Sequence, residues 1–139
     1  MTKVLKRLVY RSKSLVLKDD VITLQEIFAV SIKNNKRHSI TGCLAQPDGH
    51  FVQVIEGEAA NVDRLMDKII ADARHEDVIT LGEWNIQARL FQGWDMARPD
   101  ITPLSDQSFR IINTAGSGAQ VVGVLLTVIQ EPARLFHLS

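Results

Sequence analysis

Between residues 4 and 86 the apolar residues of this chain change spacing repeatedly, from every second position to helical spacing and back, then through the same cycle again. Strand faces repeat with period 2 and helix faces with period 3.6, so these switches fix an order of elements. Val4 to Tyr10 alternates as a strand: Leu8 and Tyr10 share one face, and Arg7 and Arg11 share the other with Val9. Tyr10 therefore points inward. From Thr23 to Asn35 the spacing becomes helical, with Leu24, Ile27, Phe28 and Ser31 on a stripe that ends at Asn34 and Asn35. Ile40 to Ala45 and Phe51 to Glu56 are strand-like runs around Gln46-Pro47-Asp48-Gly49-His50. Pro-Asp-Gly supplies preset and permissive dihedrals for a tight turn, so the two runs should pair as a hairpin. Val62, Leu65, Met66, Ile69 and Ile70 mark a second amphipathic helix with Asp63, Arg64, Asp67 and Lys68 on its polar side. Val78 to Ile86 and the segment around Phe91 to Met96 read as two final strands. The order is βαββαββ with both helices on one sheet face, an α+β layout of ferredoxin-like type.

The reading places one domain at residues 1–98 and a helical extension at 99–139. After Arg98-Pro99, Thr102 can cap a short helix with Pro103 at its first position. Ala115-Gly116-Ser117-Gly118 then separates it from a second short helix ending near Pro132. In that tail Val121, Val122, Leu125, Val128 and Ile129 recur at helical spacing, enough to cover the open face of the sheet or a neighbouring subunit. Packing on the chain's own sheet is favoured, with self-association into a homo-oligomer expected through the same region.

Charge and cysteine content narrow the partners. Sixteen basic and sixteen acidic residues cancel, so the field that grips phosphate backbones is missing and direct nucleic-acid binding is not expected. Cys43 is the only cysteine, and Lys and Arg interrupt the apolar residues of the amino terminus, which points to a reducing, cytoplasmic setting. The longest apolar run, Val121 to Ile129, is about half of the roughly 20 residues a membrane-spanning helix needs, so no membrane role is expected.

Signatures of common enzymes are mostly missing. Gly116-Ser117-Gly118-Ala119-Gln120-Val121 lacks the third glycine and the distant acidic residue of a dinucleotide site, and reads as a flexible helix connection. Asp72 and His75 can share a helical face but have no third ligand, so no metal is expected. Cys43, inside a strand, behaves as a small apolar side chain. Gln53 is more informative: it shares a strand face with Phe51 and Ile55, and a buried amide without a partner costs about 1–3 kcal/mol. Something polar must meet it. Taken singly, Asn34 and Asn35 are explained by helix capping, Tyr10 as a core aromatic, and Trp94 and Met96 as core filler.

Taken together they say more. Leu8-Val9-Tyr10-Arg11-Ser12, Asn34-Asn35 followed by Ile40-Thr41-Gly42, Phe51-Val52-Gln53-Val54-Ile55-Glu56-Gly57, Asp72-Ala73-Arg74-His75, and Phe91-Gln92-Gly93-Trp94-Asp95-Met96 appear in that order. This set resembles the BLUF family of blue-light sensors that use a flavin, over roughly residues 4 to 98. The resemblance implies the same βαββαββ fold, with the flavin ring between the two helices and Ile27 and Ile69 against its faces. It implies that Asn35 and Asn34 bond the ring's pyrimidine edge, and that Gln53 stands between Tyr10 and the ring. It further implies Arg37, Arg74 and His75 as cofactor-binding residues, the arginines toward the phosphate end, with FAD favoured over FMN.

The implied activity is photochemical rather than enzymatic. Tyr10 gives an electron and a proton, Gln53 relays the proton and is left rearranged, and Trp94 and Met96 carry the signal outward. Ala73 stands where many members have proline, and Lys13 to Asp20 is rather long and charged. Residues 99–139 are too few for a fused cyclase or phosphodiesterase, so the output is expected to reach a separate, unidentified signalling protein. Two other readings compete: a small dark flavin-dependent redox enzyme, for which no nicotinamide site is visible, and a cofactor-free ferredoxin-like interaction module.

Overall fold

The computed structural model describes residues 4–16, 20–45, 49–92 and 117–126. They form β1 (Leu5–Ser14), α1 (Val21–Arg37), β2 (Thr41–Ala45), β3 (His50–Glu58), α2 (Ala59–Ala71), β4 (His75–Ile86) and a further helix α3 (118–126). The sheet runs β2-β3-β1-β4 with every neighbouring pair antiparallel, as the ferredoxin-like reading requires. The expected hairpin is present, with Thr41 opposite Glu56 and Ala45 opposite Val52. Phe91 and Gln92 lie in a turn rather than a strand. The remainder of the expected final strand, Trp94 and Met96 included, lies outside the described residues, as do Pro47 and Asp48, the Thr102–Pro103 helix start, Val128 and Ile129.

Local chemistry sets the helix ends. Asp20 caps α1, its carboxylate accepting from Thr23 N at 3.1 Å and Thr23 Oγ1 at 2.7 Å; such a cap contributes about 1 kcal/mol. Lys36 and Arg37 sit in the last turn, where the helix dipole favours cations. Asn34 and Asn35 are not the capping residues. The helix continues past them to Arg37, and Ser39 takes the left-handed conformation, φ 54°. Helical capping thus leaves these two amides unexplained.

Both faces of the sheet are buried, which explains why β3 is buried continuously from Phe51 to Gly57 rather than alternately. On one face Leu8, Phe51 and Ile55 pack under α2 through Val62 and Met66, with Ile27 of α1 and Leu65 and Ile69 of α2 beside them. On the other, Val9, Cys43, Val52 and Val54 meet Val121, Val122 and Leu125 of α3. The tail helix therefore packs on the chain's own sheet. Cys43 is buried there, and desolvation pushes its thiol pKa well up, consistent with an apolar packing role.

Two sequence expectations change. Gly118 is not part of a loose connection: it opens α3, buried, and a Cβ there would lie 3.0 Å from Gly82 N, Gly82 Cα and Leu81 O. A side chain there would crowd the main chain of β4, because the two backbones run close together. That approach coincides with an irregularity in β4, where Val9 faces Gly82 and Tyr10 faces Thr80, leaving Leu81 as an extra residue. Nor do Asp72 and His75 share a helical face, because α2 ends at Ala71 and His75 begins β4. Among the described residues no group of three or more His, Cys, Asp or Glu could hold a metal, and no helix is long and apolar enough to cross a membrane.

Candidate flavin site

The two helices on the sheet leave a cavity of about 150 Å³ between them. Its floor comes from the strands: Tyr10 of β1, Leu44 of β2, and Phe51 and Gln53 of β3. Strand alternation aims these side chains at the helices. One wall is α1, through Ile27, Ser31, Asn34 and Asn35, spaced so that they share a helical face. The opposite wall is α2, through Leu65, Lys68 and Ile69.

At the floor, the Tyr10 hydroxyl donates to Gln53 Oε1 at 2.5 Å. The two residues are direct partners across the β1–β3 ladder, and they are 3% and 5% exposed. Burial, aided by the charge of Asp72, raises the phenol pKa far above its ordinary range. Tyr10 is thus a neutral donor at any physiological pH. The polar partner that the pattern demanded for Gln53 includes this hydroxyl.

His75 fixes one end of the cavity. Its Nε2 lies 2.5 Å from the Ile69 carbonyl and must donate to it, while Nδ1 lies 2.6 Å from Ser12 Oγ. Its ring meets Tyr10 and Phe51 edge-on, with centroids 6.2 and 6.1 Å away. Both ring nitrogens are therefore spent on the protein, and His75 shapes the wall around Tyr10. Arg74 binds Asp72 in a fork, Nε to Oδ1 at 2.9 Å and Nη2 to Oδ2 at 2.5 Å. That hydrogen bonding holds the Asp72 carboxyl below its usual range and raises the Arg74 guanidinium.

Of the residues expected at the site, Tyr10, Ile27, Asn34, Asn35, Gln53, Ile69, Arg74 and His75 line one cavity. Arg37 does not. It is exposed on the last turn of α1, one helical turn beyond Asn34. Leu44, Phe51, Ser31, Leu65, Lys68 and Asp72 also line the cavity without having been singled out. Phe51 was recoverable, since it lies two residues before Gln53 on the same strand face. Lys68 was not, because the sequence places it on a solvated helix face.

The donor set fits a flavin. Ile27 and Ile69, both half-buried, present aliphatic walls from opposite helices, as a flat aromatic ring system requires. Asn35, 2% exposed, and Gln53 carry amides that both donate and accept, which matches a ring edge of alternating N–H and C=O. Lys68 and Arg74 supply the cations that suit phosphate oxygens.

Comparison with known proteins agrees. The family profile described as sensors of blue light using FAD matches residues 5–97. The photoactivated adenylate cyclase subunit beta of Euglena longa is 36% identical over 93 residues, 66% of this chain. The chain spans 11% of that relative's length. Among solved structures, the dark state of BlrB, a BLUF protein, superposes with a TM-score of 0.78 at 32% identity, covering 93% of this chain and 97% of that one. Klebsiella pneumoniae BlrP1 with FMN and cyclic diGMP gives a TM-score of 0.64 at 27% identity, covering 79% of this chain and 34% of that one.

Proposed function

This chain belongs to the BLUF family of flavin-binding blue-light sensors, and we propose that its light response begins at the hydrogen bond between Tyr10 and Gln53. The observation that carries the reading is that bond: 2.5 Å long, buried, and on the floor of the cavity between Ile27 and Ile69.

Ile27 and Ile69 would hold the ring by its faces, Asn34 and Asn35 by its edge, and Arg74 with Lys68 would take the phosphate end. When bound, the flavin supplies blue-light absorption and a strong electron acceptor. Tyr10 answers as donor. Losing an electron makes a phenol O–H strongly acidic, and the proton already lies on a short bond to Gln53 Oε1, so it moves there. When the electron returns, Gln53 gives a proton back to the phenolic oxygen: the one it took, leaving the amide rotated, or one from its nitrogen, leaving it tautomerised. Either change exchanges the donor and acceptor that its amide presents to Tyr10 and to the cavity. One amide thus rewires every bond it makes, and a packed domain has room for two such arrangements.

The test is the visible spectrum before and after blue light, without reductant, for the wild type, Tyr10→Phe and Gln53→Leu. A small reversible red shift should appear in the wild type and in neither variant; a shift that survives in Tyr10→Phe rules out Tyr10 as donor. A dark redox enzyme is disfavoured by membership in a sensor family.

FAD is the flavin we assign, following the family's description. BlrP1 was solved with FMN, so chromatography of the extracted flavin checks the assignment. Output goes to a separate effector in the cytoplasm, with Trp94 and Met96 relaying the change and self-association possible to read by sizing in light and dark. Relatives such as the Euglena cyclase make nucleotide cyclases one effector class to include in a pull-down.

A further inference from the structure

On the sheet face away from the cavity lies a buried ion pair that the photochemistry does not use. Glu56 is 0% exposed. Its Oε2 accepts from Arg7 Nε at 2.8 Å and from the backbone N–H of Leu90 at 3.0 Å, and its Oε1 accepts from the backbone N–H of Phe91 at 2.8 Å. Thr41 Oγ1 is 3.4 Å from Oε1, and Arg89 Nη1 bonds both Thr41 Oγ1 at 3.0 Å and the Glu56 carbonyl at 3.1 Å. The Arg7 guanidinium sits 5.7 Å from the ring centroid of Trp84. Replacing a buried ion pair with apolar residues of similar volume is often neutral or stabilising, so stability alone is a poor account of this one.

Its position suggests a better one. Arg7 faces Glu56 and Tyr10 faces Gln53 in a single β1–β3 ladder, three residues apart on each strand and on opposite faces. Two cross-strand pairs therefore tie the same two strands, one on the sensing face and one on the reverse. A change in how β1 sits against β3 at the first pair is imposed on the second. Glu56 passes it on, because the same carboxylate holds the main chain of Leu90 and Phe91, and the buried Phe91 side chain belongs to the same apolar cluster as Val121, Val122 and Leu125 of α3.

We propose that Glu56, oriented by Arg7, is a positioning residue of the light response: it fixes Phe91, and through it α3, to the β1–β3 ladder that carries Tyr10 and Gln53. The proposal rests on the light-sensing role of that pair. Hydrogen bonds make the link from Glu56 to Leu90 and Phe91, and one buried apolar cluster holds Phe91 together with α3, so the coupling has a continuous physical path.

The experiment is hydrogen–deuterium exchange of the full chain loaded with FAD, in the dark and under continuous blue light. Peptides covering 86–92 and 117–126 are followed alongside the visible spectrum. Wild type should show the red shift and a light-minus-dark difference in both peptides. Glu56→Gln should keep the red shift and the dark protection of 117–126 but lose the light-minus-dark difference there. Arg89→Ala, a milder change that leaves Glu56 in place, should reduce that difference, and it decides the matter if Glu56→Gln fails to fold or exchanges 117–126 fully in the dark. A merely structural Glu56 predicts faster exchange in both states with the difference retained. That outcome overturns the proposal, as does a wild type that shifts red with no difference at 117–126. Absence of the red shift in the wild type would instead count against the photochemical reading.

Discussion

A double-mutant cycle on Tyr10 and Gln53 tests whether they form one bonded unit. Gln53→Leu removes the acceptor at 2.5 Å from the hydroxyl of Tyr10, a residue only 3% exposed. Stranding a buried hydroxyl costs about 1–3 kcal/mol. Tyr10→Phe takes the donor from Gln53 Oε1 instead and should cost a similar amount, less what the more apolar ring recovers. With both residues replaced, neither polar group is stranded by the loss of the other, and the double variant should cost clearly less than the sum. The expected coupling is about 1–2 kcal/mol, in the range usual for residues in direct contact. Urea denaturation of the four flavin-stripped proteins measures it, since stripping removes the contribution of ligand binding. Costs that add to within about 0.3–0.5 kcal/mol would refute the bond as an energetic unit. A spectral loss in both single variants would then need another explanation.

Tyr10 is the chain's only tyrosine, so its ionisation can be followed without overlap from another phenol. Its pKa is raised by burial and then by Asp72, so between the ordinary phenol value of about 10 and the folded value the unfolded chain loses a proton that the folded chain keeps. Tyr10 therefore lowers stability as pH rises above about 10 and has no such effect below it; phenolate absorbance should appear only with unfolding, and an ordinary titration in the folded protein contradicts this. Gly42→Ala places a Cβ well inside contact distance of the Val54 carbonyl oxygen, a backbone atom of the paired strand. It should destabilise by at least the upper part of the usual overpacking range, about 3 kcal/mol, read by thermal or urea unfolding. Gly118→Ala brings a methyl 3.0 Å from three backbone atoms of β4, so it should lift α3, cost about 1–3 kcal/mol, and speed amide exchange across 118–126. The Tyr10–Gln53 spectral response should remain, since the contact is on the opposite sheet face.

The elements of the site were legible because they obey local periodicity. Ile27 and Ile69 fall on apolar helix stripes, and Gln53 on a strand face between Phe51 and Ile55, whatever the rest of the chain does. The helix ends were less legible. Asn34 and Asn35 look like caps until Ser39 is seen to take the left-handed conformation and Asn35 to be buried in the cavity wall. Arg37, expected near the phosphate end from the resemblance alone, is exposed on the last turn of α1 and is not among the residues that line the cavity. Glu56 belongs to the same sequence run as Gln53, yet nothing local distinguishes a carboxylate aimed at solvent from one aimed at Arg7 and the amides of Leu90 and Phe91.

By itself the sequence determined the order of strands and helices, the inward face of each, and a set of residues resembling a flavin light sensor. These follow from spacing along one chain, where each residue's face is set by its near neighbours. Tertiary structure decided which inward residues meet: Tyr10 opposite Gln53, Arg7 opposite Glu56, Gly118 against Gly82, and α3 over the reverse face of the sheet. Such pairings depend on strand register and on the return of distant segments, and these are fixed only when the whole core packs at once.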